Sequence, residues 1–299
     1  MSFSSDAKAE LCAQRPDRKC CAVAESYGVL LYCNTFSARE IRIITASRDF
    51  AARLPRLFKR AFSLSFDVLP PENTKGKSSF LITSPEKIKR IFDTYGAEVD
   101  STLSHHVNFG VLEEDCCRTA FLRGAFLAGG SVTDPEKRYH LELATSHVPA
   151  SREVQALMEE MGFLPRTIRR GADALLYFKQ SEHIEDFLTK IGAPAAAMDI
   201  MTAKVDKEIR NGANRAMNCD MANVNKTLDA AQEQMSAIER LRGSARWDRL
   251  PEKLRQTAEL RLEYPELSLM QLAEKCDPPV TKSCMNHRMR KLMEEAKEL

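Results

Sequence analysis

The chain has 299 residues, of which 43% are hydrophobic and 29% are charged, as is typical of a globular protein with about two domains. No stretch reaches the roughly 20 apolar residues of a membrane-spanning helix, and the first 16 residues lack the apolar core of a signal peptide, so we expect a cytoplasmic protein without a membrane partner. The net charge of +2 does not by itself indicate a nucleic-acid partner, but it leaves room for a local basic surface.

The nine cysteines are consistent with reduced thiols in the cytoplasm. Their number is odd, and the sequence contains no Cys-x-x-Cys pair. The adjacent pairs Cys20-Cys21 and Cys116-Cys117 have a spacing that suits a shared tetrahedral zinc ion poorly. We therefore expect small buried side chains, with neither a metal nor a cofactor; a metal or redox role is the alternative.

An internal repeat with an offset of 96 residues is the most informative feature of the sequence. Cys20 and Gly28 in the first copy correspond at this offset to Cys116 and Gly124 in the second. Each copy opens with a helix that leads into a turn. We expect the copies, about residues 15–95 and 112–192, to pack these first helices together and to join their sheets into one saddle.

The rest of the first copy predicts an alternation of strands and helices. Residues 39–45 are β-branched and alternating, which indicates a strand. Ser47 is placed to cap a helix with an apolar inner face. That face consists of Phe50, Leu54, Leu57, Phe58 and Ala61. A hairpin of residues 66–69 and 79–83 around a turn at 73–76 follows, and Ser84 and Pro85 open another helix.

The second copy repeats this order. Residues 138–145 predict a strand, and Ser151 is placed to cap the next helix. The inner face of that helix consists of Val154, Leu157, Met158 and Met161. Residues 167–170 and 174–178 predict a hairpin, and residues 181–191 a final helix. Residues 1–195 are therefore expected to form an α+β domain of αββαββα-like order with pseudo-two-fold symmetry.

Residues 122–130 of the second copy, Leu-Arg-Gly-Ala-Phe-Leu-Ala-Gly-Gly, resemble the nine-residue motif that names the LAGLIDADG homing endonucleases. Leu122, Gly124, Ala128 and Gly130 match it position for position. Gly124 would let two helices approach closely, and Gly130 would permit a tight turn where the helix ends. Without the repeat, the same residues would describe only an ordinary packed helix.

The resemblance implies where a nuclease would hold its metal. In active enzymes of that family, the eighth motif position is an acid that binds a divalent cation. This position is Gly129 in the second copy and Cys33 in the first, and neither can ligate magnesium. We therefore expect the fold without nuclease activity; an active endonuclease is an alternative that would require a carboxylate pair.

Composition changes after residues 192–197, Gly-Ala-Pro-Ala-Ala-Ala, which predict the end of the first domain. Residues 196–245 favour a helical linker, and residues 246–299 an all-helical helix-turn-helix domain. In this last part, a helix at 251–264 would contribute Leu254, Ala258 and Leu262 to a three-helix core, with Trp247 at its entrance. Ser268 is placed to cap the next helix, residues 269–275.

Two prolines, 278 and 279, end that helix, and the recognition helix is expected to begin near Thr281 or Lys282. Its inner face would be Met285, Met289 and Leu292, and no acid occurs between Lys282 and Lys291. Such a face suits the major groove, where amides and guanidinium groups contact base edges and lysines contact phosphates. The residues expected to contact DNA are Thr281, Lys282, Ser283, Asn286, His287, Arg288, Arg290, Lys291 and Gln271.

Three stretches, residues 121–131, 214–223 and 278–292, together resemble the WhiA family of bacterial sporulation and cell-division regulators. The resemblance implies a degenerate LAGLIDADG domain joined to a helix-turn-helix. It also implies a transcription regulator that binds double-stranded promoter DNA at the nucleoid, with other transcription proteins as candidate partners, in cell division, chromosome segregation or sporulation. One departure is Cys284, where the family would place a glycine. A protein-binding scaffold with secondary DNA binding is the alternative.

Two further groups of residues have open roles. A signature in the linker, namely Asn214, Arg215, Asn218 and Asp220, would cap and pack the helix or contact DNA. Basic residues would line the saddle or form solvated faces. They are Arg39, Arg42, Arg48, Arg53, Arg56, Lys59 and Arg60 in the first copy and Arg166, Arg169 and Arg170 in the second. A protein partner would use the same surface.

Overall fold

A computed structural model of the protein describes residues 2–14, 18–71, 76–97 and 105–299. The chain divides into two compact units, residues 1–207 and 208–299, and the division falls within a single long helix, α8 (Pro194–Arg242). The first unit thus extends past residue 195, because the first turns of α8 bury Ala196, Ala197 and Ile200 in its core. None of the helices in the described ranges has the length and hydropathy that crossing a bilayer requires.

The first unit contains the two predicted copies in order, preceded by a helix that the sequence did not predict, α1 (Phe3–Ala13). The first copy comprises α2 (Lys19–Leu31), β1 (Thr35–Phe36), β2 (Ile41–Thr45), α3 (Arg48–Phe62), β3 (Ser78–Ile82) and α4 (Pro85–Thr94). The second comprises α5 (Asp115–Gly129), β4 (Gly130–Val132), β5 (Leu141–Thr145), α6 (Val148–Glu160), β6 (Arg166–Arg170), β7 (Asp173–Phe178) and α7 (Ser181–Ile191).

The strands form two antiparallel sheets, one in each copy. Their orders are β1-β2-β3 and β4-β5-β7-β6, and within the described residues no ladder joins the two sheets. The expected continuous sheet is therefore two sheets. What unites the copies is the pair of first helices, α2 and α5, whose apolar residues belong to one continuous core.

Local signals account for most helix ends but not for all of them. The Ser47 hydroxyl accepts a hydrogen bond from Phe50 N, as predicted. Ser84 stands at its predicted cap position, but it makes no side-chain cap; the Asp67 carboxylate instead accepts from the amides of Thr83 and Ser84. The cap predicted at Ser151 was wrong, because α6 begins three residues earlier.

Pro149 occupies the first turn of α6, where the fixed φ of proline favours helix initiation. The hairpin predicted at residues 66–69 is reduced to a single bridge between Val68 and Leu81. Residues 73–75 of its predicted turn lie outside the described residues. The second hairpin, β6 with β7, is confirmed.

The second unit is wholly helical. After the end of α8 come α9 (Glu252–Glu263), α10 (Leu269–Lys275) and α11 (Lys282–Lys297). Helices α9 and α11 share a core through residues such as Leu254, Ala258 and Leu292, and Trp247 packs against it. Helix α10 packs on α11 in a second cluster of Leu272, Ala273 and Met285. The last turns of α8 add Ala237, Ile238 and Leu241 to this core. The end of helix α8 is therefore part of the core of the second unit as well as the connection to it.

Candidate nucleic-acid interface

The orientation of α11 is set by its apolar face. Met285, Met289 and Leu292 are buried at a spacing of about one helical turn, so the opposite side of the helix faces outward. Its start is capped by Thr281, whose hydroxyl oxygen accepts from Cys284 N at 3.2 Å. The predicted beginning of the recognition helix is thus confirmed, and Thr281 has a structural role there.

Most of the residues expected to contact DNA lie on α11, with Thr281 at its cap and Gln271 on α10. Exposed among them are Lys282, Ser283, Asn286, His287, Arg290 and Lys291, whereas Arg288 is half-buried. One acid stands nearby, since Arg290 Nε lies 3.6 Å from Glu294 Oε1. Both side chains are more than 60% exposed, and an ion pair of this kind contributes little. The guanidinium therefore stays available to a ligand, and the contacts with DNA remain a prediction.

Helix α10 precedes α11 as the first helix of the pair. Ser268 and Gln271 form a capping box: Ser268 N donates to Gln271 Oε1 at 2.9 Å, and Gln271 N donates to Ser268 Oγ at 3.4 Å. Two amides at the helix start are satisfied in this way. The side-chain oxygen of Gln271 is thus already used within the domain, so its predicted contact with DNA would depend on its remaining amide group.

Arg261 is a positioning residue that the sequence analysis missed. Its side chain is 1% exposed, and Nη1 donates to the carbonyl of Leu267 at 2.6 Å and to that of Pro265 at 3.3 Å. Burial lowers the pKa of this guanidinium. It thereby holds the loop between α9 and α10. The available signal was its spacing, because Leu254, Ala258 and Arg261 fall on one face of α9.

The glycines of the first unit lie where α2 and α5 cross. A Cβ added at Gly28 would lie 2.0 Å from the carbonyl oxygen of Phe121, and one at Gly124 would lie 2.0 Å from that of Glu25. The two contacts are symmetric at the offset of 96 residues. The close approach predicted for Gly124 is therefore confirmed, and it applies to Gly28 as well.

Gly130 is required for a different reason than the one predicted. Its φ of −90° is open to any residue. A Cβ there would instead lie 2.6 Å from the carbonyl oxygen of Phe126. A glycine is needed here because there is no room for a Cβ where α5 ends and β4 begins. The backbone conformation itself is ordinary.

The two degenerate motif positions offer no oxygen ligands. At Gly129, a Cβ would lie 2.4 Å from the carbonyl oxygen of Ala144, so a carboxylate side chain would meet backbone. Cys33 is buried, and its thiol donates to the carbonyls of Leu30 and Thr35 at 3.2 Å each. Burial raises the pKa of this thiol to about 12. Gly129 therefore has no room for a carboxylate, and Cys33 carries no negative charge that would bind a hard cation.

Most of the basic residues of the first copy lie on α3 and not on the sheet. Arg48, Arg56, Lys59 and Arg60 lie on α3, and Arg42 on β2 is paired with Glu40 at 3.1 Å. Arg53 is buried, and its Nε and Nη2 donate to the Glu25 carboxylate at 2.6 and 2.8 Å.

In the second copy, Arg166, Arg169 and Arg170 are exposed on the edge strand β6. Arg170 lies 3.8 Å from Glu142, a long and exposed pair. Of the two sheets, the second thus presents the basic edge.

The linker signature also differs from expectation. Asn214, Arg215, Asn218 and Asp220 lie in the middle of α8 and are all exposed. They neither cap a helix end nor pack against a core, because residues 208–230 of α8 are exposed throughout. Of the two roles left open for these residues, capping and packing is not found in the structure, and contact with DNA stays a prediction.

The comparisons with known proteins agree with this architecture. Residues 118–210 match the family model of the WhiA LAGLIDADG-like domain, and residues 213–296 match that of the WhiA C-terminal HTH domain. The crystal structure of full-length DUF199/WhiA from Thermotoga maritima shares the fold, with a TM-score of 0.60, 24% identity, and coverage of 100% of this chain and 99% of that one. The expected α+β LAGLIDADG-type domain followed by an all-α helix-turn-helix domain is thus confirmed.

Curated relatives extend the match over the whole chain. The probable cell division protein WhiA of Ruminiclostridium cellulolyticum is 34% identical, covering 100% of this chain and 98% of that protein. That of Heliobacterium modesticaldum is 35% identical, covering 98% of this chain and 95% of that protein. With this identity over its full length and both domain models matched in order, the chain belongs to the WhiA family.

Proposed function

We propose that the chain is a sequence-specific transcription regulator that reads double-stranded promoter DNA with α11 and does not cut it. The observation that supports this most directly is the exposed outer side of α11, where Asn286, His287 and Arg290 stand among lysines opposite a buried methionine face. Amide and guanidinium groups there match the hydrogen-bonding edges of bases, while the lysines attract phosphates. Such a protein would act at the nucleoid, in cell division, chromosome segregation or sporulation.

Replacing Arg290 with alanine tests the reading of bases. We expect specific binding to weaken by about 1–3 kcal/mol, or roughly five- to 150-fold in Kd, because a bidentate contact to one base is lost. Preference at one base position should relax at the same time. Genome-wide occupancy mapping of the tagged chain supplies the DNA fragment, and gel shifts with that fragment and its single-base variants measure both effects.

Lys297→Ala is the matched control, since it removes one exposed cation from the last turn of the same helix. It should change binding only through weak, salt-sensitive electrostatics. If the Arg290 variant kept the Kd and the base preference of the wild type, α11 would not be the recognition helix.

The proposal that DNA is not cut follows from the motif ends. With Gly129 closed by the Ala144 carbonyl and Cys33 buried as a thiol, we expect no cleavage when the chain is incubated with magnesium and a genomic DNA library. Sequencing of DNA ends measures this. Reproducible cuts that EDTA abolishes would contradict the proposal and point to another carboxylate pair.

A second candidate is a protein scaffold with secondary DNA binding, and α8 favours it. Ile209, Met217, Met221 and Val224 are more than half exposed along this helix, and exposed apolar side chains in a row are typical of surfaces that bind proteins. Chromatin precipitation with no enrichment over background, alongside stable protein complexes, would favour the scaffold over the regulator.

A further inference from the structure

The two cysteine pairs, which are far apart in sequence, meet in space. Cys20 and Cys21 lie in the first turn of α2, and Cys116 and Cys117 lie in the first turn of α5. The two helices pack side by side and run in the same direction, so their starts are neighbours. All four Sγ atoms lie within 4.8 Å of one another. Either adjacent pair alone is poorly spaced for a tetrahedral ion, but two pairs from two neighbouring helices can share one.

The distances suit one small cation. Four thiolates around a tetrahedral zinc ion at about 2.3 Å from the metal lie about 3.8 Å apart. Small rotations of the side chains therefore suffice to close the site from its present separations of up to 4.8 Å. The ligands of an iron–sulfur cluster bind different iron atoms and stand farther apart, so the compact arrangement favours a single ion.

The four thiols lie at the starts of two helices. The N-cap residues of the two helices, Arg18 and Glu114, make no side-chain cap, so no cap side chain occupies the amides of the first turns. The partial positive charge at two helix starts stabilises anionic sulfur. The Arg123 guanidinium is also within electrostatic reach of Cys21.

The thiols already contact one another. Cys20 Sγ lies within 4.8 Å of the Sγ atoms of Cys21, Cys116 and Cys117. Cys117 is buried, Cys21 and Cys116 are half-buried, and Cys20 is exposed, so the cluster has one open side through which an ion can enter. The five remaining cysteines lie elsewhere in the sequence and supply no ligand to the group.

We propose that Cys20, Cys21, Cys116 and Cys117 bind one zinc ion that joins the starts of α2 and α5. Each copy supplies two ligands at equivalent positions, so the ion sits on the pseudo-two-fold axis relating the copies. The site is structural, since four protein ligands leave no open position for a substrate. It lies at the opposite ends of the two helices from Cys33 and Gly129, where the nuclease family would place its metal.

Metal analysis of the full chain tests the site. Purified without chelator, it should contain about one zinc ion per chain, and cobalt(II) in its place should give the visible absorption of a tetrahedral tetrathiolate. Cys20→Ser and Cys116→Ser should each lose most of the zinc; neither side chain is fully buried, so both variants are expected to fold. Cys219→Ser, which removes an exposed thiol on α8, should keep it.

Alkylation of the wild type gives a second readout that needs no variant. The exposed Cys20 should resist alkylation until a chelator removes the ion, as followed by mass spectrometry of its peptide. Four outcomes would overturn the proposal: a zinc-free chain whose Cys20 reacts equally fast with and without chelator; zinc retained by both cluster variants; iron with acid-labile sulfide; or disulfides among the four cysteines in freshly purified protein.

Discussion

Replacing Gly124 with alanine should destabilise the first unit by more than about 3 kcal/mol, beyond the usual range for overpacked cores. The added Cβ would lie 2.0 Å from the carbonyl oxygen of Glu25 and 3.0 Å from Val29 N. Since both atoms belong to the backbone of α2, no side chain can move aside, and the helices must separate along their shared core. Thermal and urea unfolding of the full chain measure the loss.

Gly212→Ala is the control, because the same substitution at this position should raise the free energy of unfolding. Gly212 lies within α8, and a Cβ there meets nothing within 4 Å. Alanine should then stabilise its helix by about 0.5–1 kcal/mol through propensity alone. Equal effects of the two substitutions, or a stabilised Gly124 variant, would show that α2 and α5 do not cross backbone to backbone.

Arg53→Met is the second substitution with a large expected effect, about 3–5 kcal/mol, because it leaves a buried carboxylate without its main partner. Glu25 is fully buried, and after the change its nearest cation would be Arg123, whose Nη1 lies 3.7 Å away. Arg53 also donates to the carbonyls of Cys12 and Gln14, which fix the end of α1. Urea unfolding monitored by circular dichroism gives the change in free energy.

Arg56→Met is the matched control, since it removes an exposed arginine one turn further along α3 and should change stability by no more than about 0.5 kcal/mol. A double variant, Glu25→Gln with Arg53→Met, should recover part of the loss because the unpaired charge is gone. An Arg53 variant as stable as the Arg56 variant would mean that the ion pair contributes no net stability.

Features that depend on local spacing were predictable from the sequence. The caps at Ser47 and Ser268 each place a hydroxyl before a periodic apolar face, and each was found where the pattern indicated. Helix α11 likewise begins at Lys282, as its pattern indicated. The repeat offset also predicted which helices would pair. Helix α1 was missed because only Ala7 and Leu11 are buried on it, which is too weak a pattern to distinguish from a coil.

Contacts between particular side chains that are distant in the sequence were not predictable. Arg53 belongs to a run of basic residues, and nothing in that run shows that this one residue forms a buried ion pair with Glu25. The cysteine pairs were expected on two helices that pack together, but the sequence did not show that their four Sγ atoms lie within 4.8 Å of one another. In the candidate DNA interface, the sequence indicated which side of α11 is outward, but not that Gln271 is engaged in a cap or that Arg261 holds the preceding loop.

The crossing of α2 and α5 limits how the two repeats can diverge. The obstacle that faces Gly28 and Gly124 is a peptide carbonyl, a group present at every position whatever the side chain. A larger residue at either site therefore cannot be rescued by a smaller one in the other repeat. Most of the first motif differs from the second, yet this pair of positions can tolerate no larger side chain, so the two repeats keep their symmetry at the point where their first helices touch.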